Sequence, residues 1–425
     1  MSSSNSPQPW DQVTPLFKIN LQQLPKMPIA MEDMFGGLIN NQIIYSCGFG
    51  GNIKKGAFRT FTKQTISIPL KSILEPQTKK ETINHTTSPD FPGNPRQKGT
   101  SITINNELLC WGGYSYTPMK TLTPKVLASK KKDPKSFIDG YAYSPETQSW
   151  RKLPDLPAHI SSFSLTQIAN DIYLFGGCDY HDSSYNTWHD RNGENEFFGS
   201  RLYKISISDI FPTTNPNATW TRLPDCPGTP RMNHISEAVN NKIYVIGGAA
   251  GRPFGGKFYS TVDNWSFDTT TNKWTRLIDT PTSNTNWQNS VVYKEKYIIL
   301  VGGSITTNKG SSVNNRLVIN RNKEESQPYG DQRRNKVKNF KNIMSGEILV
   351  YDTSTNKFHR IDGVNNPIPL PVNVNNPLVF LNDDNLIIVG GEIEISESMR
   401  RKLPTKLHCY SSDLIFAGKI LPSSI

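Results

Sequence analysis

The chain has 425 residues and carries 47 Lys and Arg against 36 Asp and Glu, a formal net charge of +11. Its 35% hydrophobic content excludes wholesale disorder, and its 30 glycines and 30 prolines are too many helix breakers for a helical bundle. No apolar run approaches the roughly 18 to 20 residues that cross a bilayer. The composition therefore indicates an all-β protein with many turns and no membrane span.

The first ten residues have neither the basic start nor the apolar core of a secretory signal. We expect a flexible N-terminus over residues 1–15 and a cytoplasmic location, with the nucleus as the alternative because Lys130, Lys131 and Lys132 form a basic run. The five cysteines lie far apart and show no spacing typical of zinc ligands or of a disulfide framework. We therefore expect no metal and no other cofactor.

One pattern recurs six times: a polar turn, a run of four or five apolar residues and then glycine, which is paired in most copies. The copies span residues 40–48, 105–113, 170–177, 240–248, 294–303 and 383–391. Asparagine tolerates left-handed backbone dihedrals, so a pair such as Asn40 and Asn41 predicts a tight hairpin turn. The apolar run predicts a strand buried on both faces, and the glycines predict a close approach of backbone.

A second signature follows most of the glycine pairs: an aromatic strand and then Trp with Leu-Pro. It occurs at residues 150–154, 220–224 and 274–277, and in its weakest form at 358–361. Each copy therefore supplies about four short strands. Because such a unit cannot bury both of its faces alone, the units must pack against one another.

This succession of apolar strand, Gly-Gly, aromatic strand and Trp resembles the Kelch motif over residues 16–416. The resemblance implies a β-propeller with one four-stranded blade per repeat, and six copies imply six blades. The segment from Leu21 to Pro25 resembles the Trp-x-x-Leu-Pro strand but precedes the first glycine copy. We therefore expect the N-terminal strand to complete the last blade, which hides sheet edges, and residues 417–425 to form a C-terminal tail.

Two long insertions carry the net charge. Residues 114–136 hold six lysines against one aspartate, or +5, and residues 304–345 hold nine Lys and Arg against three acids, or +6. Such segments suit an acidic partner, and the alternative is that they are flexible, solvated loops. Only Tyr329 and Phe340 lie near the charge, and this lack of interleaved aromatic residues argues against nucleic acid as a partner.

Polar residues at the start of several units are candidate ligand-binding groups. When the copies are aligned on their glycines, the residues that precede or begin the first strand include Arg96, Arg231, His234, Asn286 and Asn289. In a propeller the first strands line the central channel, so these groups would ring one mouth and suit an anionic or hydroxylated ligand. The alternative is that they cap strand ends and bond to loop backbone between blades.

Two His-Asp pairs lie within ten residues of each other after the third glycine pair. They contain His181 and His189, which we take as further candidate ligand-binding residues. The alternative is a loop that satisfies its own backbone through its polar side chains.

The last glycine pair continues into a segment similar to the Gly-Glu-…-Arg segment of six-bladed Kelch mutarotases, the family that interconverts sialic-acid anomers. The resemblance implies that Glu392 is an acid-base residue and that Arg400 or Arg401 anchors the substrate carboxylate. Galactose oxidase resembles this chain only as a Kelch propeller, and no position here matches its copper ligands.

Long loops, rather than a compact acid-base set, distinguish this chain. The leading expectation is therefore a platform whose loop face binds a protein partner or another ligand. The alternative is a carbohydrate enzyme of the sialic-acid mutarotase or epimerase type that acts on a sugar-like ligand in the central funnel.

Overall fold

A computed structural model describes residues 12–51, 60–76, 81–117, 133–179, 198–215, 217–251, 258–282, 286–307, 341–394 and 409–423. Most of these residues form short strands, together with the α-helix α1 (Leu70–Leu74) and 3₁₀ turns at Phe198–Ser200 and Ile207–Asp209. None of the helices in this part of the chain is long and apolar enough to cross a membrane.

The strands of the first half are β1 (Pro15–Ile19), β2 (Gln22–Gln23), β3 (Met31–Glu32), β4 (Phe35–Ile39), β5 (Gln42–Ser46), β6 (Phe49–Gly50), β7 (Thr60–Phe61), β8 (Thr65–Pro69), β9 (Thr86–Ser88), β10 (Thr100–Ile104), β11 (Glu107–Trp111), β12 (Tyr114–Thr117), β13 (Asp133–Ser136), β14 (Gly140–Ser144), β15 (Ser149–Leu153), β16 (Ser164–Ile168), β17 (Asp171–Phe175), β18 (Leu202–Ser206) and β19 (Thr221–Leu223). Those of the second half are β20 (Ile235–Val239), β21 (Lys242–Ile246), β22 (Ala249–Gly251), β23 (Phe258–Ser260), β24 (Trp265–Asp268), β25 (Lys273–Arg276), β26 (Asn286–Tyr293), β27 (Tyr297–Thr307), β28 (Lys341–Met344), β29 (Ile348–Asp352), β30 (Lys357–Gly363), β31 (Val374–Asn375), β32 (Leu378–Asn382), β33 (Asn385–Val389), β34 (Glu392–Glu394), β35 (Cys409–Ser411) and β36 (Ile415–Pro422).

The main strands form antiparallel sets of four, which we call units 1 to 6. Units 1 to 4 are separate sheets with the orders β4-β5-β8-β9, β10-β11-β14-β15, β16-β17-β18-β19 and β20-β21-β24-β25. Units 5 and 6 belong to one larger sheet. Unit 5 is β26-β27-β29-β30, and unit 6 is β32-β33-β36 with β1 as its fourth strand, which also pairs with β30. The predicted all-β propeller is confirmed, whereas the number of six blades stays a prediction because units 5 and 6 share a sheet.

Hydrophobic side chains pack between successive units. Separate clusters join each unit to the next and also join unit 6 to unit 1, where Leu378 and Phe380 lie with Ile43 and Tyr45. Each cluster draws its residues from two sheets, so neither unit could bury them alone. Packing therefore closes on itself around the molecule.

The local predictions for the repeat are confirmed. Asn40 and Asn41 have φ of 48° and 58°, the left-handed values that a two-residue hairpin turn needs. The first glycines of the pairs also lie against the backbone of the following unit. A Cβ on Gly112 would stand 2.5 Å from the Ile160 carbonyl oxygen, closer than any side chain tolerates.

The N-terminal strand joins the two ends of the larger sheet. Strand β1 pairs antiparallel with β36 and parallel with β30, and β2 extends the pairing with β36. The predicted completion of the last blade by an N-terminal strand is thus observed, with an additional bond to unit 5. The predicted tail 417–425 is wrong through Pro422, because β36 is a paired strand of unit 6. The predicted flexible segment 1–15 is wrong at Val13, which is buried; residues 1–11 lie outside the described residues.

A ring of left-handed residues surrounds the central axis. One residue stands just before the first strand of units 1 to 4 and 6 and near the start of β26 in unit 5, with φ between 45° and 58°: Asp33, Lys98, Ser162, Asn233, Trp287 and Asn376. For the five residues from Lys98 onward, the backbone N–H donates to the carbonyl of the preceding ring residue. The N···O distances are 3.2, 2.8, 2.9, 3.3 and 2.7 Å, in chain order. Between Asn376 and Asp33 the connection is made instead by their side chains.

The ring separates two parts of the axis. On one side lies the channel, lined by the first strands of the units. On the other side, the residue before each ring residue pairs with the residue that follows the glycines of the same repeat. Except in unit 5, each of these pairings belongs to a short additional sheet or bridge. These pairs form what we call the crown: Glu32 with Phe49, Gln97 with Tyr114, Ser161 with Cys178, Met232 with Ala249, Asn286 with Ser304, and Asn375 with Glu392.

Both basic insertions begin and end on crown strands. The first lies between β12 and β13, and the second between β27 and β28. Residues 118–132 and 308–340 lie outside the described residues. The pairing of the flanking strands nevertheless places the attachment points of both insertions on the crown side of the ring.

The closing strand β1 generates a stability prediction. Phe17 is buried, and its ring lies 5.4 Å and 5.3 Å, edge-on, from the rings of Tyr293 and Tyr297. We expect Phe17→Ala to lower the free energy of unfolding by about 3 to 5 kcal/mol, the usual cost of deleting a buried aromatic ring. Chemical denaturation of the full chain measures this change. Leu421→Ala, an exposed position on β36, is the control and should change stability by less than about 0.5 kcal/mol; equal effects would contradict the account.

Candidate functional site

Arg96 is an interior structural residue. Its guanidinium is fully buried and binds both carboxylate oxygens of Asp139, at 2.6 and 2.9 Å, and the Gly112 carbonyl at 3.2 Å. The ring of Phe137 lies 4.1 Å below the guanidinium carbon. Burial alone would raise the pKa of Asp139, but the hydrogen bonds and charge of Arg96 lower it below its ordinary value.

Arg231 repeats this arrangement two units further on. It is also fully buried, and it binds the Asp263 carboxylate at 2.5 Å, the Asp263 carbonyl at 2.6 Å and the Gly247 carbonyl at 3.0 Å. Neither arginine is among the residues that line the channel. The expectation that they ring a ligand-binding mouth is wrong, because each guanidinium is already saturated by an aspartate and by loop carbonyls. The alternative, bonding to loop backbone, describes both.

His234 and Asn289 line the channel beyond the ring. The His234 ring is buried and its Nε2 lies 2.8 Å from Ser164 Oγ. Burial, together with the charge of Arg231, lowers the pKa of His234 to about 3, so the imidazole is neutral at ordinary pH. The Asn289 amide donates to the Pro377 carbonyl at 2.8 Å, which ties unit 5 to unit 6.

Asn286 lies in the crown and has no access to solvent. It stands opposite Ser304 in the pairing of β26 with β27. Within the described part of the chain, the two amide atoms of Asn286 have no hydrogen-bond partner, and the Ser304 hydroxyl has none either. Of the predicted ring of mouth residues, Asn286 is therefore the one that the structure places in the crown with free hydrogen-bonding capacity.

Two further crown residues share this property, although the sequence did not single them out. Asn375 is buried with both amide atoms unpartnered among the described residues. Gln97 donates to the Tyr114 hydroxyl at 2.6 Å, while its Oε1 accepts no hydrogen bond from that part of the chain. We call Gln97, Asn286, Ser304 and Asn375 the crown polar set.

The crown polar set is costly unless another molecule completes it. Leaving a buried donor or acceptor unsatisfied costs about 1 to 3 kcal/mol, and native structures contain only a few such groups per hundred residues. Here six such atoms belong to four side chains at one level of the fold. This concentration suits a ligand or ordered water that both donates and accepts hydrogen bonds.

Glu392 also lies in the crown, on β34. It stands opposite Asn375 on one side and Ser411 on the other, and its side chain is partly exposed. The other candidate residues, Arg400, Arg401, His181 and His189, lie outside the described residues. In the described ranges no three His, Cys, Asp or Glu side chains are grouped closely enough to hold a metal ion.

Comparisons with protein families agree with this architecture. A family model described as "KLHDC2/KLHL20/DRC7 Kelch-repeats domain" matches residues 131–326, and a Kelch-motif model matches residues 95–157. The solved structure of YjhT superposes with a TM-score of 0.61 at 17% identity, covering 92% of this chain and 95% of that one. This likeness concerns the fold.

The curated relatives include an epimerase and several Kelch-like proteins. N-acetylneuraminate epimerase of Haemophilus influenzae (strain PittEE) is 23% identical over 60% of this chain and 58% of its own. Kelch-like protein terF of Aspergillus terreus is 31% identical over 31% of this chain and 25% of its own, and human Kelch-like protein 30 is 31% identical over 25% and 15%. The chain thus spans less than two thirds of the length of these relatives.

The buried arginine pairs generate a second stability prediction. Asp263→Asn would keep the shape of the side chain but leave the Arg231 charge buried without its counter-ion, so we expect unfolding to become about 3 to 5 kcal/mol easier. The control is Asp225→Asn, which breaks the partly exposed pair with Arg222 and should cost at most about 1 kcal/mol. Thermal denaturation of both variants measures the difference, and a similar loss in the two would contradict a structural role for Arg231.

Proposed function

Because this chain is a Kelch-repeat propeller, we propose that it is a binding protein that recognises a segment of a partner protein through its crown. The observation that carries this proposal is the crown polar set, whose amides and hydroxyl lack partners among the described residues. Because these side chains have almost no access to solvent in the free protein, the partner segment must displace the chain that covers them. An amide side chain offers both donors and an acceptor, which is what the backbone of an extended peptide requires.

The location of the basic insertions supports the same face. The attachment strands of both insertions, β12 with β13 and β27 with β28, lie in the crown. Their sequences carry +5 and +6, so an acidic segment is the partner that their charge favours. Charge of this kind speeds association and makes binding sensitive to salt.

An isosteric substitution tests the proposal through stability and binding together. Asn286→Leu replaces an unpartnered buried amide by an apolar side chain of similar shape, so the free protein should become more stable. The same change removes hydrogen bonds to the partner, and we expect a loss of binding of about fivefold to 150-fold, since two such bonds are worth roughly 1 to 3 kcal/mol. Thermal denaturation and quantitative cross-linking of partners measure the two effects.

The control lies on the same strand. Asn289→Leu removes an amide that is bonded to the Pro377 carbonyl, so it should lower stability while leaving the crown unchanged. A loss of stability in Asn286→Leu with undiminished partner capture would contradict the proposal.

A second candidate function is a sialic-acid mutarotase, because Glu392 lies in the crown opposite Asn375 and an N-acetylneuraminate epimerase is among the relatives. Anomer exchange needs one group that removes the anomeric proton and one that protonates the ring oxygen, and a carboxylate serves the first role. Arg231 is bound to Asp263, so the carboxylate anchor in this proposal is Arg400 or Arg401.

Proton exchange spectroscopy tests this second function directly. If it is correct, the full chain accelerates exchange between the N-acetylneuraminate anomers, and Glu392→Gln lowers the rate by about 10² to 10⁴. Glu146→Gln, on an exposed turn, is the control and should retain the full rate. Absence of acceleration by the unmodified protein would exclude this function.

A further inference from the structure

The channel on the side of the ring away from the crown contains a cavity of about 270 Å³. Residues from the inner strands of units 1 to 6 line it, and the ring residues Lys98, Ser162, Asn233 and Asn376 form its end. A cavity of this size holds a small organic molecule. The crown polar set lies on the opposite side of the ring, so a ligand here would be independent of the proposed function.

Glu237 supplies the one carboxylate of the cavity lining. Its Oε1 accepts a hydrogen bond from Ser290 Oγ at 2.6 Å, and this is the one hydrogen bond of the carboxylate in the described part of the chain. The second oxygen, Oε2, is therefore available to a molecule in the channel. Burial raises the pKa of Glu237 to about 7, against the opposite effect of the Ser290 hydrogen bond.

The cavity lining contains no available positive charge for Glu237. Lys98 is the one lysine or arginine in the lining, and its ammonium is paired with Asp33 at 3.1 Å. His234 is neutral because burial lowers its pKa to about 3. Glu237 is half-buried, and a carboxylate that has lost much of its water without gaining a counter-ion is unfavourable. A cation of the right size would remove that penalty.

The strands that pack beside Glu237 do not change this balance. On β21 the residue opposite it is Tyr244, and β26 contributes Tyr293 as its titratable group. Burial raises the pKa of both tyrosines, so both are neutral hydroxyls at ordinary pH. On β16 there are only apolar, hydroxyl and amide side chains.

A second buried acceptor lines the same cavity. Gln288 is 5% exposed, and its Oε1 accepts no hydrogen bond from the described residues. The remaining lining includes apolar side chains such as Leu165, Ile235 and Phe380. The cavity thus combines a carboxylate, a free amide oxygen and apolar walls.

We propose that this channel cavity binds a small organic ammonium compound, with Glu237 as its counter-ion and Gln288 as a hydrogen-bond acceptor. An alkylammonium group carries a positive charge and donors for these acceptors, and its carbon chain suits the apolar walls. A divalent metal does not fit as well, because Ca²⁺ and Mg²⁺ require about six or more oxygen ligands and typically several carboxylates. The cavity lining has one carboxylate.

The test is a calorimetric titration of the full chain with alkylammonium ions from methylammonium to n-butylammonium, and with n-butanol as the neutral counterpart. At about pH 8 we expect n-butylammonium to bind at least ten times more tightly than n-butanol. At about pH 5.5 its association constant should fall about thirtyfold, because a carboxyl group with a pKa near 7 is then almost fully protonated.

Glu237→Gln is the decisive variant, since it keeps an acceptor for Ser290 and removes only the charge. It should abolish both the preference for the ammonium ion and its pH dependence, while Glu146→Gln on an exposed turn should bind as the unmodified protein does. Folding of the variant is checked by its stability curve. The raised pKa of Glu237 makes the unmodified protein lose stability as pH rises from about 4.5 to about 7, and the Gln variant should lack this loss.

Three results would overturn the proposal: failure of every ammonium ion to bind, equal affinity for n-butanol, or undiminished ammonium binding by Glu237→Gln. The proposed function does not depend on these results, because its variant, Asn286→Leu, alters the crown and leaves the channel lining unchanged.

Discussion

The backbone hydrogen bonds around the axis are the constraint on which the rest of the structure depends. Each unit places one left-handed residue at the ring, and in units 2 to 6 its N–H bonds to the preceding unit, while side chains join Asn376 to Asp33. Such dihedrals cost roughly 1 to 2 kcal/mol for residues with a side chain, and Trp287 is a bulky residue in this conformation. The ring also divides the axis, with the crown on one side and the channel on the other. The two candidate sites exist separately because of this division.

Charge is distributed unevenly between the interior and these two sites. Arg96 and Arg231 lie between units, where aspartates and loop carbonyls already satisfy their guanidinium groups. These bonds tie the segment before the first strand of a unit to later loops of the same unit. The crown polar set is uncharged, while the channel has one carboxylate with no counter-ion among its lining residues. The same fold thus offers one neutral hydrogen-bonding surface and one anionic cavity, and these suit different ligands.

Most of the fold could be predicted from the sequence, because its signals are local. Hairpin turns at Asn40 and Asn41, buried strands and close glycines depend on residues next to one another, and all of them are confirmed. The closing of the sheet by the N-terminal strand could be predicted because the segment from Leu21 to Pro25 resembles the last strand of a repeat but stands before the first repeat. The strand β36 was missed because Ile415–Pro422 carries no repeat signature.

The candidate site was harder to predict because it depends on pairings far apart in sequence. The aspartates that neutralise Arg96 and Arg231 stand 43 and 32 residues later, and the sequence around each arginine does not predict which aspartate it will bind. A usable signal for the crown did exist. In each crown pair, the residue that precedes the ring residue stands sixteen positions before the second glycine of the same repeat, as Gln97 does before Gly113. In unit 5 the distance is seventeen, because the hairpin has one more turn residue. Comparing the residues at this position in the six repeats would have selected Gln97 and Asn375 along with Asn286.

Hydrogen exchange of the ring amides tests the central claim most directly. If the ring is a closed structural belt, the backbone amides of Lys98, Ser162, Asn233, Trp287 and Asn376 exchange together, with a free energy close to that of global unfolding. Exchange of these amides at unrelated rates, as fast as that of surface turns such as Asn40 and Asn41, would contradict the claim that the ring holds the units together and separates the crown from the channel.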